Sequence, residues 1–155
     1  FIMPKCAFFF WLAIKNRLLT KDRMRLFEMQ VDPRCVLCNG GLESSHHLFS
    51  NCSFFAALRA ESPVQFNADW DLCRTGAFFI GNTSRIKKRI GGLFIAVAIY
   101  HTWKERNFRI HNVGKHNSPS RVLLRVKEMV RERLFSCNSF KRMAANHPGI
   151  IPLLY

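Results

Sequence analysis

Acidic side chains are scarce in this sequence: ten Asp and Glu stand against 24 Lys and Arg. No two aspartates are adjacent, so the paired metal-binding carboxylates of a polymerase are missing, and catalysis is not expected of the chain. Long apolar runs are missing too. The longest, Ile90 to Tyr100, is about half the roughly 20 residues a membrane helix needs, contains Gly91-Gly92 and follows Lys87, Lys88 and Arg89. It reads as a buried core helix. There is no internal repeat, no low-complexity tract and no motif for a small-molecule substrate. No secretory signal is read either. Six cysteines would allow a disulfide framework, but four Cys/His positions carry metal-like spacing, so the expectation is a reducing compartment, nucleus or cytoplasm, rather than secretion. The first residue is Phe rather than Met, so the expectation is a fragment of a longer chain or an incomplete gene model.

What is present is apolar and basic. Hydrophobic residues make up 48% of the 155, with 15 Phe, enough for a modest core of about one domain and too many for a disordered chain. The formal net charge of +14 and a pI near 10.3 imply a polyanionic partner, and nucleic acid is the commonest one for a zinc-bearing domain.

The most specific chemistry lies in CVLCNGGLESSHHLFSNC. Cys35 and Cys38 form a C-x2-C step, His46 and His47 follow, and Cys52 closes the stretch. Three thiolates and one imidazole make a closed tetrahedral set for a structural Zn²⁺, with no open position for catalysis. Asn39-Gly40-Gly41 supplies residues that tolerate positive φ where the chain leaves the site. Spacing leaves the histidine undecided. On a regular helix residues five apart diverge by about 140° and residues six apart by about 120°. Neither histidine therefore meets Cys52 unless the element is irregular. Cys6, Cys73 and Cys137 read as small buried hydrophobes.

Periodicity and capping signals predict a mainly α fold. A first helix starts at Pro4 and continues through CAFFFWLAIKNRLL, and Thr20 caps a short second one through KDRMRLF. Ser44 or Ser45 caps a helix through HHLFSNCSFFAALRA. Residues 61–83 read as a connector with one short element near Trp70 to Phe79. Ser84 then caps a long helix to about Asn107. Ser118-Pro119 opens an amphipathic C-terminal helix, with Val122, Val126, Met129, Val130 and Leu134 at helical spacing. The organisation expected is a zinc-stabilised unit over 1–60, the connector over 61–83, a helical region over 84–143 and a poorly held tail over 144–155.

The residues also resemble the zinc-binding region of plant LINE-type (non-LTR) retrotransposon reverse transcriptases. The resemblance rests on Pro4, Lys5, Phe10, Trp11, Leu18 or Leu19, Thr20, Asp22, Cys35, Cys38, Glu43, Ser44, His47, Leu48, Phe49 and Cys52, and extends loosely to Trp103, Arg106 and Asn107. It implies Cys35, Cys38, His47 and Cys52 as ligands of one structural Zn²⁺. It also implies a parent polyprotein that handles its own RNA and target DNA. That family places a Trp soon after the last Cys; here Phe54 and Phe55 stand in that region.

The function expected is therefore a non-catalytic zinc-binding accessory domain that contacts nucleic acid phosphates. The candidate contacts are Arg85, Lys87, Lys88 and Arg89 on one helical turn, and Lys104, Arg106 and Arg109 beside Trp103 and Phe108. Arg121, Arg125, Lys127, Arg131 and Arg133, partly offset by Glu128 and Glu132, read as an ordinary amphipathic surface. Two other readings fit the same residues: a protein-interaction or scaffolding module docking on an upstream reverse transcriptase, and a decayed remnant without a present role.

Overall fold

The computed structural model describes residues 3–81, 84–112, 114–138 and 140–142; the tail expected over 144–155 lies outside them. The described residues are mainly helical and contain no strand. α1 spans Pro4–Ile14, with Pro4 in the first turn, where its missing N–H costs nothing. It stops well short of the Leu19 expected from its apolar pattern. Asn16 takes a left-handed φ of 51°, Asn16 N donates to Ala13 O and Arg17 N to Leu12 O at 2.7 Å. This paired closure ends a helix wherever a residue tolerates that conformation. Arg23 then donates to the Asn16 carbonyl. α2 spans Lys21–Leu26 after Thr20, whose hydroxyl donates to the Asp22 carboxylate rather than capping backbone.

α5, Arg85–His111, is the axis of the fold. It runs one turn beyond the end expected at Asn107. From Leu93 to Ile99 every residue is buried, so the helix is enclosed by α1, α3 (Ser53–Ala60) and α6 (Pro119–Phe135) rather than laid on a surface. Ser84 and Ser118 cap α5 and α6 through their hydroxyls, as their positions predict. On α6, Val122, Val126, Val130 and Leu134 are buried, and Met129 packs partly buried beside them. A single cluster of buried side chains runs from Cys6 to Phe140. All six cysteines are free; Cys6 and Cys73 are buried and Cys137 half-buried.

The connector packs on α5 through a glycine. α4, Trp70–Arg74, is capped by the Asp69 carboxylate and ends earlier than expected, because Phe79 pairs with Phe66 in an antiparallel bridge. That bridge and Val64 lie against Gly91. A Cβ there would meet Val64 Cγ2 at 2.1 Å and Phe79 at 3.0 Å, whereas one on Gly92 would meet nothing within 4 Å. The neighbours thus assign opposite signs to one substitution. Gly91→Ala is expected to destabilise by at least about 1–3 kcal/mol through overpacking against a stiff β-branched side chain. Gly92→Ala should stabilise by roughly 0.5–1 kcal/mol, because glycine is a poor helix former. Urea unfolding of the two variants checks this, and equal effects would mean the connector does not rest on α5 as described.

Candidate metal centre

Residues 33–43 form a tight knuckle: Arg34 and Leu42 bridge antiparallel, Cys35 N donates to Gly41 O at 2.8 Å, and Glu43 N donates to Pro33 O. Within it Asn39 alone takes positive φ, at 54°, so the asparagine rather than either glycine makes the sharp turn. Gly41 serves another need. A Cβ on it would lie 3.0–3.1 Å from the His47 ring, so its bare backbone is what lets the imidazole approach.

The helix problem posed by the sequence is solved by a π-helical turn. Residues His47–Asn51 are π-helical, Cys52 N donates to His47 O at 2.7 Å, and Cys52 itself is extended before α3 begins. The wider π turn brings residues five apart back toward one side, which a regular helix forbids. Ser44 Oγ accepts from His47 N, holding the start of the turn. The donor atoms of Cys35, Cys38, His47 and Cys52 consequently lie within 4.8 Å of one another. Cys35 Sγ and Cys52 Sγ are 4.0 Å apart, and Cys38 Sγ and His47 Nε2 are 3.2 Å apart. Sulfurs on a tetrahedral zinc with bonds of about 2.3 Å would be separated by about 3.8 Å. The residues fit the ion. His46 points elsewhere, its Nδ1 2.9 Å from Asp71 Oδ2. His46, Asp69 and Asp71 also cluster, but they are largely exposed, Asp71 is paired with Arg74 and Asp69 is occupied as a helix cap.

The buried thiols of Cys35 and Cys52 shift one another in opposite directions. The Cys35 thiol is pulled down to about 4, first by the hydrogen bond from Cys52 and further by the amides of Cys38 and Leu37, against the cost of burial. The same contact, with burial, pushes the Cys52 thiol up. One proton thus sits between two buried sulfurs where a divalent cation would replace it. Gly40 N donates to Cys38 Sγ, a further amide aimed at a thiolate.

Around the cage lie residues that spacing does not mark as supports. Arg106, expected among the phosphate contacts, is 2% exposed and ion-paired with Glu43, Nη2 to Oε1 at 2.6 Å and Nε at 3.0 Å. The same Glu43 oxygen accepts from Lys21 N, and Arg106 stacks on Trp103 at 4.7 Å. Arg109, also expected at the nucleic acid, is turned inward. It donates to the carbonyls of Val36 and Leu37, to Asn117 O and to Glu105, and lies over Phe54. Both guanidiniums hold the knuckle against α5, Arg106 sealed from solvent and Arg109 largely covered. Arg85, Lys87, Lys88, Arg89 and Lys104 are exposed on α5. Phe54 and Phe55 are buried, Phe55 edge-on to Phe49, which in turn packs on Trp70.

Two measurements check this arrangement. Gly41→Ala should weaken zinc affinity by about tenfold by displacing the His47 ring, as supporting residues around metal ligands commonly do, while Gly40→Ala and His46→Ala leave it near the starting value. A competition titration with a chromogenic chelator reads the difference; His46→Ala proving the worse of the two would move the ligand assignment. Arg106→Met should cost about 3–5 kcal/mol by stranding the Glu43 carboxylate, with the double variant carrying Glu43→Leu as well recovering much of it. Single and double variants unfolding at the same urea concentration would show that the pair is incidental.

Comparison with known proteins agrees with the geometry over the same residues. Residues 1–58 match the family described as zinc-binding in reverse transcriptase, a stretch that ends inside α3 and includes all four candidate ligands. No curated protein and no solved structure matches the chain. The segment that builds the cage, from α1 through the π turn to α3, is a zinc-binding domain of the reverse transcriptase kind.

Proposed function

We propose that the protein is a non-catalytic accessory domain in which one structural Zn²⁺, held by Cys35, Cys38, His47 and Cys52, fixes a helical body that binds RNA or DNA through phosphate contacts. The observation that carries this reading is the exposed row Arg85, Lys87, Lys88 and Arg89 at the start of α5, together with Lys104 further along the same helix. The first turn of α5 holds no acidic residue, and cations there oppose the helix dipole. A bound phosphate removes that conflict. Among the described residues at least five of the ten acidic residues are in ion pairs with Lys or Arg, so internal pairing absorbs much of the scarce negative charge. A full four-donor set leaves no open position for substrate, which supports a role without catalysis. Six free cysteines and a thiolate site suit a reducing compartment. No helix among the described residues is long and apolar enough to cross a membrane.

A second reading, docking on a reverse transcriptase domain, draws support from the outer face of α1, where Phe8 and Trp11 are about half exposed and stacked at 6.2 Å. Salt separates the two. Binding to single strands should weaken by about 0.7 logarithmic units per tenfold salt for each neutralised phosphate, whereas docking through aromatic rings should be nearly indifferent.

The metal is expected to govern folding of the knuckle. The loop between Cys38 and His47 is polar and glycine-containing, and ordering it costs about 1–2 kcal/mol per residue. Structural zinc contributes roughly 10–16 kcal/mol in finger peptides at neutral pH, enough to decide that balance. Strong chelator should therefore abolish amide protection from Cys35 to Phe55 while α5 and α6 keep much of theirs. Acid should do the same, since three thiolates and an imidazole take up protons as the metal leaves. Affinity must rise with pH. Unchanged exchange in the knuckle after chelation would remove zinc from the reading, and salt-independent oligonucleotide binding would remove the phosphates.

A further inference from the structure

Between the C-terminal half of α5 and the start of α6 lies a cavity of about 290 Å³, lined by His101, Lys104, Glu105, Phe108, Asn117 and Arg125 among others. Its acidic wall is already used. Glu105 accepts from Arg109 at 2.9 Å and from both the backbone and the side-chain amide of Asn117 at 2.7 Å, so its charge is balanced within the protein. The basic side is not. Lys104 and Arg125 are exposed, and among the described residues neither takes part in an ion pair or hydrogen bond. His101 is 7% exposed, and its Nε2 is buried without a hydrogen-bond partner. Buried polar atoms are nearly always satisfied, so an unpartnered nitrogen on a residue that lines a cavity beside two free cations leaves room for a ligand oxygen, provided the Nε2 tautomer carries the proton. Burial, helped by the charges of Lys104, Arg125 and Lys5, holds the ring neutral by lowering its pKa to about 4; a neutral ring can still donate from Nε2. Phe108, on the rim, leaves 38% of its surface to solvent.

We propose that this notch seats one backbone phosphate of a single-stranded nucleic acid, with Lys104 and Arg125 pairing its charge, His101 Nε2–H donating to one of its oxygens, and Phe108 stacking on an adjacent base. The inference rests on the nucleic-acid reading above and assigns it to one place. A phosphate suits the site better than a carboxylate, because it offers enough separately directed acceptor oxygens to meet an ammonium, a guanidinium and an imidazole together. A single strand suits it better than a duplex, because only unpaired bases offer a face to an exposed ring beside the backbone. Arg125 belongs to a helix whose cations otherwise resemble an ordinary solvated surface; packing of α6 against α5 sets it apart by bringing it to Lys104 and His101.

The test uses the full zinc-loaded chain with a fluorescently labelled single-stranded RNA and a DNA of the same sequence. Lys104→Gln with Arg125→Gln should weaken binding about fivefold at 0.1 M salt for each phosphate that is no longer neutralised, and lower the salt slope by about 0.7. Phe108→Ala should weaken it by about fivefold or more. In the unsubstituted protein the His101 ring resonances should shift on adding the strand, and the double variant should abolish that shift. Strand binding that leaves His101 unmoved, or that the double variant retains in full, overturns the notch while the general nucleic-acid reading survives. Inorganic phosphate added alone supplies the remaining arm. If it shifts His101 but neither strand binds, the notch is a small-anion site and both readings fall.

Discussion

The buried pair between Glu43 and Arg106 is the contact on which the arrangement of this molecule turns. It joins the end of the metal knuckle to the last two turns of α5, 63 residues away, with both side chains removed from solvent. A buried ion pair is poor evidence for stability, since desolvating both charges can cost more than their attraction returns. Its value here is orientation. One Glu43 oxygen gathers the Arg106 fork and the backbone N–H of Lys21, so the knuckle, the start of α2 and α5 are fixed to a single atom. Arg109 repeats the device one helical turn later, reaching the carbonyls of Val36 and Leu37. The C-x2-C loop, whose Cys35 and Leu37 are buried in the common core, is thereby also held by two guanidiniums of a helix that is rigid because it is enclosed.

This explains how a zinc-binding domain of the reverse transcriptase kind, matched as far as residue 58, is embedded in a larger body. The cage and the later helices are not two units joined by a tether. Phe54 on α3 lies under Arg109, Arg106 reaches Glu43, and the buried side chains of both halves form one cluster. The knuckle supplies ligands; α5 supplies the rigidity that keeps them convergent. Metal binding therefore gains from a preformed frame, and loss of metal should be felt most where the frame is absent, in the polar turn between Cys38 and His47.

Much of this is legible in the sequence, and the remainder escapes it for definable reasons. Helix starts are readable because their signals are local: Pro4, Thr20, Ser84 and Ser118 each stand where an element begins. Helix ends are not. α1 stops where Asn16 accepts a left-handed conformation, and its apolar pattern runs on beyond that point. The convergence of the four ligands follows from spacing and resemblance, together with the need for an irregular element before Cys52. That the irregularity is a π turn does not follow, because no residue type encodes one. The site fixes it instead, by requiring two side chains five apart to face one point. Arg106 and Arg109 are misplaced by sequence reasoning for a different reason. Charge patterning along a helix cannot tell a cation facing solvent from one facing a buried carboxylate or a row of carbonyls; only the return of the knuckle over α5 decides it.

That misplacement sharpens the meaning of the net charge. The planar, weakly hydrated guanidiniums of Arg106 and Arg109 go inside, where several fixed acceptors can be met at once, and Lys21 is buried as well, its Nζ donating to the Arg34 carbonyl. Lys87, Lys88 and Lys104, compact and strongly hydrated, remain outside with Arg85 and Arg89. A charge of +14 thus overstates the surface available to a polyanion, since part of it is consumed in building the cage's support. These exposed cations share α5 with Arg106 and Arg109, the two residues that anchor the metal knuckle. Because α1, α3 and α6 enclose that helix, its exposed cations would keep their places with or without the metal, and the cage depends on α5 more than α5 depends on the cage.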